Sequence, residues 1–364
     1  ARYWLAPSSP AAARSSASGR SSGHPLIGRR LRSAGRGAQF EAELGAGSTA
    51  YLEDHRVHDV AVLPVTGFVE MFLAAGTKVL GSAACRVEDL ALQEALVLPE
   101  QGGCTVQLVA GPIADGRMPC EVWSLVADED RDDAWRLHAI ATVRGGEGSA
   151  RPAVSLAEIR ARCTEVMEAD KLYADMRARG VEHRGAFCAV TGLWRAEAEA
   201  LAEVRLPADV DVAAYEIHPA LLDACLQPIA AVLPERTASY LPVSIERVER
   251  HAAPTAPCWS HAMLRSGAGA GGAVVADVRV VDAAGSLLLA VHGVRLVPAG
   301  RDALHRLGSA RVRGLLYELT WKAAPIAGGE PAAEALPGPL TLATAVTPEI
   351  AQARVRHDLA TYDA

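Results

Sequence analysis

The sequence predicts an α+β fold of two similar halves, each a curved antiparallel sheet wrapped on one buried helix. Three observations predict it. Two helical stretches, Val65 to Leu80 and Pro219 to Leu233, are apolar on nearly every face, and a helix apolar all round is buried on most sides. Strand-like runs bounded by Gly, Pro and Asp follow each of them. The order of elements then repeats although the residues do not: extended chain, apolar helix, further strands. A curved sheet wrapped on one long helix is the hot-dog arrangement, so the expectation is a double hot-dog.

Totals bound the rest. The chain has 364 residues, half of them hydrophobic and 22% charged, enough for two ordinary domains with buried cores. A net charge of −7 argues against a nucleic-acid binder. Arg29, Arg30, Arg32 and Arg36 cluster without interleaved aromatics and read as a solvated loop. No apolar run is long enough to cross a bilayer, and no secretion signal pattern is present. Seven cysteines, an odd number with no C-x-x-C spacing, fit reduced thiols in a cytoplasmic protein.

Taken in order, residues 1–23 are Ala, Ser, Pro, Gly and Arg after a short aromatic start and read as linker. Residues 24–150 form the first hot-dog unit. Phe40 to Val62 reads as extended. Pro64 suits the start of the first apolar helix, because that position needs no amide hydrogen, while Gly76 inside it costs about 1 kcal/mol against Ala. Thr105 to Val109, Glu121 to Ala127 and Trp135 to Val143 read as strands. Residues 151–300 form the second unit. A polar helix is expected from Leu156 to Arg179, then strand-like Ala189 to Leu206, then the helix Pro219 to Leu233, which Pro228 should kink or end early. Ser260 to Arg265, Val274 to Val281 and Leu287 to Val297 complete the sheet. Residues 301–364 read as a basic linker and one strand, Leu315 to Lys322, at the edge of another structural region.

Two stretches carry candidate chemistry. His55 leaves an extended segment and Pro64 opens a helix nine positions later. A His is suited to removing a proton at neutral pH, with His58 close enough to compete for that role. The first amides of a helix lack partners and face the positive end of its dipole, so the amide of Val65 is placed to receive negative charge. Asp223 lies on an otherwise apolar helix and serves as an acid if an apolar pocket raises its pKa. Gln227, one turn on, is placed to orient that carboxyl. Together these groups point to proton transfer beside a thioester carbonyl.

The motifs resemble the dehydratase domain of modular type I polyketide synthases. That family carries H-x-x-x-G-x-x-x-x-P, matched here at His55 and Pro64, and H-P-x-L-L-D-x-x-x-Q, matched completely by His218, Pro219, Leu221, Leu222, Asp223 and Gln227. His24-Pro25-Leu26-Ile27-Gly28 resembles the family's opening, and Trp135 to Ala139 and Leu241 to Ser244 resemble further segments. The resemblance covers roughly residues 24 to 298. Arg2-Tyr3-Trp4-Leu5 is similar to the tail of a preceding acyltransferase region, and Leu316 to Trp321 to the lead-in to a ketoreductase region.

The resemblance implies a double hot-dog hydro-lyase with one active site between the halves. His55 takes the α-proton, Asp223 protonates the leaving β-hydroxyl, and an α,β-enoyl thioester results. It implies a substrate on the phosphopantetheine arm of an acyl carrier protein, no metal, no cofactor held by the domain itself, and a homodimer within its synthase. Three positions depart from the pattern. The Gly of the first motif is Asp59, which puts a carboxylate near the base or alters the turn. Val65 is bulkier than the usual small residue and narrows the oxyanion site. A third motif, Y-G-P-x-F, aligns with His183-Arg184-Gly185-Ala186-Phe187, so Phe187 survives and His183 replaces the Tyr. These departures keep two alternatives open: a dehydratase/isomerase giving a β,γ-alkene at the same site, or a silent scaffold.

Overall fold

The computed structural model describes residues 20–299, apart from 46, 83, 126–134, 147–151, 234–238, 255–256 and 266–271. Residues 1–19 of the expected linker 1–23, and the whole of 301–364 with its expected strand Leu315 to Lys322, lie outside the described residues. No helix among the described residues is long and apolar enough to cross a membrane.

The chain opens with three antiparallel strands, β1 (Arg20–His24), β2 (Gly28–Leu31) and β3 (Ala38–Leu44). Strand structure thus starts four residues before the expected boundary, because pairing with β2 needs backbone groups rather than core side chains. Arg29 and Arg30 lie on β2 rather than in a loop, and Arg29 pairs with Glu41 of β3. β3 alternates strictly, with Ala38, Phe40, Ala42 and Leu44 turned inward. Residues Gly47–Asp54 then form a 3₁₀ helix where extended chain was expected. A short hairpin follows, β4 (His55–Val57) and β5 (Val60–Ala61), leading into α1 (Val65–Leu80).

α1 spans the predicted range. Its residues Val65 to Gly76 are all buried, and Gly81 caps its end in the left-handed conformation. Gly76 has a packing reason. A Cβ there would meet Val143 Cγ1 at 2.7 Å and Cys85 Sγ at 2.9 Å, so the helix gives up propensity for close approach. After α1 come β6 (Arg86–Leu92), β7 (Cys104–Ala110), β8 (Arg117–Leu125) and β9 (Trp135–Arg144).

The second half departs more from expectation. The polar helix is two helices, α2 (Leu156–Arg162) and α3 (Ala169–Ala178), separated by β10 (Glu165–Met167). Pairing of β10 with the chain at 193–195 overrides the helical pattern there. β11 (Val181–His183) leaves the main sheet and pairs with β4. The run Ala189 to Leu206 is a hairpin, β12 (Val190–Arg195) with β13 (Glu199–Val204). α4 (Pro219–Leu226) ends early and passes into a 3₁₀ turn, Gln227–Ala231, since Pro228 has no amide to continue the ladder. β14 (Ser239–Arg250), β15 (Cys258–Leu264), β16 (Val274–Val281) and β17 (Leu287–Ala299) close the half.

All main strands belong to one antiparallel sheet, in the order β1-β2-β3-β7-β8-β9-β6-β14-β17-β16-β15-β13-β12-β10. The β6–β14 ladder joins the two halves, with Ile245 opposite Leu90 and Val248 opposite Val87. The two central helices, α1 and α4, pack against each other, and one apolar core runs through both halves from Phe40 and Phe72 to Leu222 and Val278. This is the double hot-dog. A buried carboxylate pins the halves together: Glu70 of α1 accepts from the amides of Glu216 and Ile217, both at 2.7 Å, and lies 2.7 Å from His24 Nε2. Burial pushes its pKa up, against the pull of His24 and the two amides.

Candidate active site

The base candidate is held by a hairpin that fixes its tautomer. His55 opens β4, and its ring Nδ1 lies 3.0 Å from the carbonyl oxygen of Val62, on the strand's way back to α1. A carbonyl only accepts, so Nδ1 carries the ring proton and Nε2 keeps its lone pair. Burial pushes the His55 pKa below its ordinary value, against the pull of Asp223. The imidazole is therefore neutral and available to take a proton.

The hairpin tip explains the Asp59 departure. His58 and Asp59 both have positive φ, 47° and 68°, between the paired residues Val57 and Val60. A two-residue turn with positive φ at both positions favours Gly and tolerates Asp. Asp59 is exposed and its side chain is absent from the cavity lining, so the departure alters the turn rather than the surroundings of His55. His58 packs against Gly180 and does not line the cavity either.

β11 brings in the third group. His183 is the cross-strand partner of His55, so both rings project from the same face, 5.3 Å apart. His183 Nε2 lies 3.2 Å from Asp223 Oδ2. Gln227 Nε2 donates to the same oxygen at 2.9 Å and to the Phe187 carbonyl at 2.9 Å. Tyr173 of α3 donates to Gln227 Oε1 at 3.0 Å and accepts from the amide of Val190. Phe187 is wholly buried beside the His55 ring and acts through its carbonyl.

The expectation of a raised Asp223 pKa is corrected by this network. Burial alone raises it, but the hydrogen bonds from His183 and Gln227 and the fields of His183 and His55 hold the carboxyl below its ordinary value. The donor set around the carboxylate outweighs the apolar walls.

His55, Pro64, Val65, His183, Asp223 and Gln227 all line one cavity of about 640 Å³. Val65 is the first residue of α1, so its amide has no acceptor within the helix and the dipole's positive end faces the cavity. Tyr173 escaped the sequence reading. A lone aromatic beside buried Leu172, in a stretch otherwise polar, was the only signal for it.

Two family models match the chain. One described as the polyketide synthase dehydratase domain matches residues 24–125, and one described as the polyketide synthase dehydratase N-terminal domain matches residues 151–306. The chain belongs to the polyketide synthase dehydratases. It is an enzyme of the hydro-lyase type. A phenolphthiocerol/phthiocerol polyketide synthase of Mycobacterium tuberculosis is 30% identical over 375 residues, covering 98% of this chain and 20% of that protein. The chain thus spans about a fifth of the length of such relatives, which are multidomain synthases. The dehydratase domain from the CurF module of curacin polyketide synthase is 28% identical with a TM-score of 0.69, over 76% of this chain and 99% of that one. Two inactive mutants of the CurK dehydratase are also similar, each 26% identical. One is a His-to-Phe change (TM-score 0.70, 77% of this chain and 100% of that one), the other Asp-to-Asn (0.69, 76% and 99%).

Proposed function

We propose that this dehydratase converts a β-hydroxyacyl thioester, delivered on the phosphopantetheine arm of an acyl carrier protein, into an α,β-enoyl thioester. The observation that carries the reading is the meeting of donor atoms of His55, His183 and Asp223, all within 4.8 Å of one another, at one cavity. His55 Nε2 takes the α-proton. The charge that develops on the thioester oxygen is received by the amide of Val65. The leaving hydroxyl takes its proton from the His183–Asp223 pair. Loaded with one proton, that pair is electrically neutral whichever partner holds it, which suits its burial. The inactive His-to-Phe and Asp-to-Asn mutants of the CurK dehydratase support the use of one His and one Asp.

Beyond the pair the cavity is walled by Leu92, Met176, Val181, Leu226, Leu233 and Val297, which suits an aliphatic acyl chain. In the cell the domain would act inside a cytoplasmic synthase, as a homodimer between acyltransferase and ketoreductase regions. It needs no cofactor beyond the carrier's arm.

A second reading has one observation in its favour. His183 stands where the family motif has Tyr, so two imidazoles meet one carboxylate at the cavity, and a base there that takes the γ-proton of an enoyl thioester and returns one at the α-carbon gives a β,γ-alkene. One experiment separates the readings: a 3-hydroxyacyl pantetheine thioester with γ-hydrogens, incubated with the domain in heavy water and followed by NMR. An α,β-enoyl product without γ-deuterium is expected. Deuterium at the γ-carbon would establish the double-bond shift, and no turnover even of carrier-bound substrate would overturn both.

A further inference from the structure

The same three side chains form a second kind of site. We propose that His55, His183 and Asp223 bind one divalent transition-metal ion of the zinc class, and that the bound ion switches proton transfer off. Ion binding is independent of which thioester the domain dehydrates.

The donor set is the first ground. Two imidazoles and one carboxylate match the ligands of catalytic zinc sites, which hold three protein groups and leave a fourth position open. Here one donor atom from each residue lies within 4.8 Å of the others, and all three residues are buried. His183 Nε2 and Asp223 Oδ2 are already 3.2 Å apart. Ligands on a tetrahedral ion with bonds of about 2.0–2.1 Å are separated by roughly 3.3 Å, so this edge is preformed. The widest gap is at most 4.8 Å, so closing it by up to roughly 1.5 Å completes the set. All three residues line the cavity, which would leave the fourth position to water or a ligand from it.

The outer contacts are the second ground. Metal-bound imidazoles typically donate their other N–H to a carbonyl or carboxylate, which fixes ring and tautomer. His55 has that arrangement, with Nδ1 on the Val62 carbonyl and Nε2 left for the ion. Gln227 holds the carboxylate, and Tyr173 and the Phe187 carbonyl hold Gln227. His183 Nδ1 has no hydrogen-bond partner among the described residues. Moving the ring proton from Nε2 to Nδ1 therefore breaks only the bond to Asp223, which the ion replaces. Nitrogen donors favour zinc, cobalt or nickel over magnesium or calcium.

The sequence did not announce this site. Only two of the donors lie in the matched motifs, and the third comes from the position where the family has Tyr. A Tyr at 183 would leave two donors and no site of this kind. The ion would occupy the lone pair of the base and the carboxylate of the acid together, so binding and dehydration exclude each other.

The test is calorimetric titration of the chelator-treated protein with zinc sulfate, paired with the visible absorption of its cobalt complex. The Cys188→Ser background removes the one exposed thiol. One ion per chain is expected, with four- or five-coordinate cobalt bands. His183→Phe and His183→Tyr, each checked by circular dichroism, should weaken binding by at least 100-fold. The proposal is overturned if the wild-type cavity takes up no ion, or if either folded variant binds as tightly as wild type.

Discussion

The two central helices occupy matching places in the two halves, yet they contribute to the site in different ways. α1 runs unbroken through sixteen residues and gives only its first amide, while its base partner, His55, sits on the hairpin before it. α4 stops after eight residues at Pro228 and gives side chains from its middle and end, Asp223 and Gln227. The architecture is repeated and the chemistry is not. α1 meets the cavity only at its first residue, Val65, so the first half works from a helix start and a strand. A helix that ends early turns its last turn to the cavity.

The largest expected effect breaks both contributions. His55→Ala and Asp223→Ala should each lower turnover of a 3-hydroxyacyl pantetheine thioester by about 10²–10⁴-fold, with circular dichroism unchanged. If one of them kept wild-type turnover, the role assigned to that half would be withdrawn. Next is the pin between the halves. Glu70→Ala removes a buried carboxylate and strands the amides of Glu216 and Ile217, which should cost about 3 kcal/mol in chemical denaturation.

Acid acts on both halves through a buried imidazole in each, His138 in the first and His218 in the second. Burial pushes His138 of β9 and His218 at the start of α4 down to about 4. Unfolded His takes up its proton near pH 6.5. Between these values the unfolded chain binds more protons, so stability is full above about pH 6.5 and falls toward pH 4, by up to ~3 kcal/mol per group. The hydrogen-bond partners differ. His138 Nε2 accepts from Ser124 and His218 Nδ1 accepts from the Ala220 amide, and protonation abolishes both acceptors. Denaturation of His138→Gln and His218→Asn across this range should show a shallower fall in each. An unchanged slope in both variants would rule this origin out. The smallest effect is at the hairpin tip. Asp59→Gly should raise stability by about 0.5–1 kcal/mol, because Gly enters the left-handed region freely, and should leave turnover unchanged.

What was legible in the sequence was local. The span of α1, the early end of α4 at Pro228 and the i,i+4 pair Asp223 and Gln227 each depend on residues a turn apart. What escaped depends on long-range register. β6 and β14 carry mixed charge, Glu88 and Asp89 on one and Glu246 and Arg247 on the other, so their alternation is weak, although their ladder joins the halves. The meeting of His183 with Asp223 follows from β11 leaving the main sheet for β4, a choice no local pattern encodes. The direction of the Asp223 pKa was missed for the same reason, since apolar neighbours are visible in sequence and a distant donor is not.

The seam between β6 and β14 has a consequence for synthesis. Strands β7, β8 and β9 are all made by Arg144, and β9 pairs one edge of β6, but β14, the partner of its other edge, is not complete until Glu249. During translation at about 5–20 residues per second, the first half would wait roughly 5–20 s with that edge unpaired. A bare strand edge invites pairing with a neighbouring nascent chain, and charges and irregular backbone along it discourage this. β6 carries both: Arg86, Glu88 and Asp89 in sequence, with Asp89 at φ 55° and the register shifted between Glu88 and Ala91. The polar character that hid this strand from the sequence pattern would also guard a half-made protein on the ribosome.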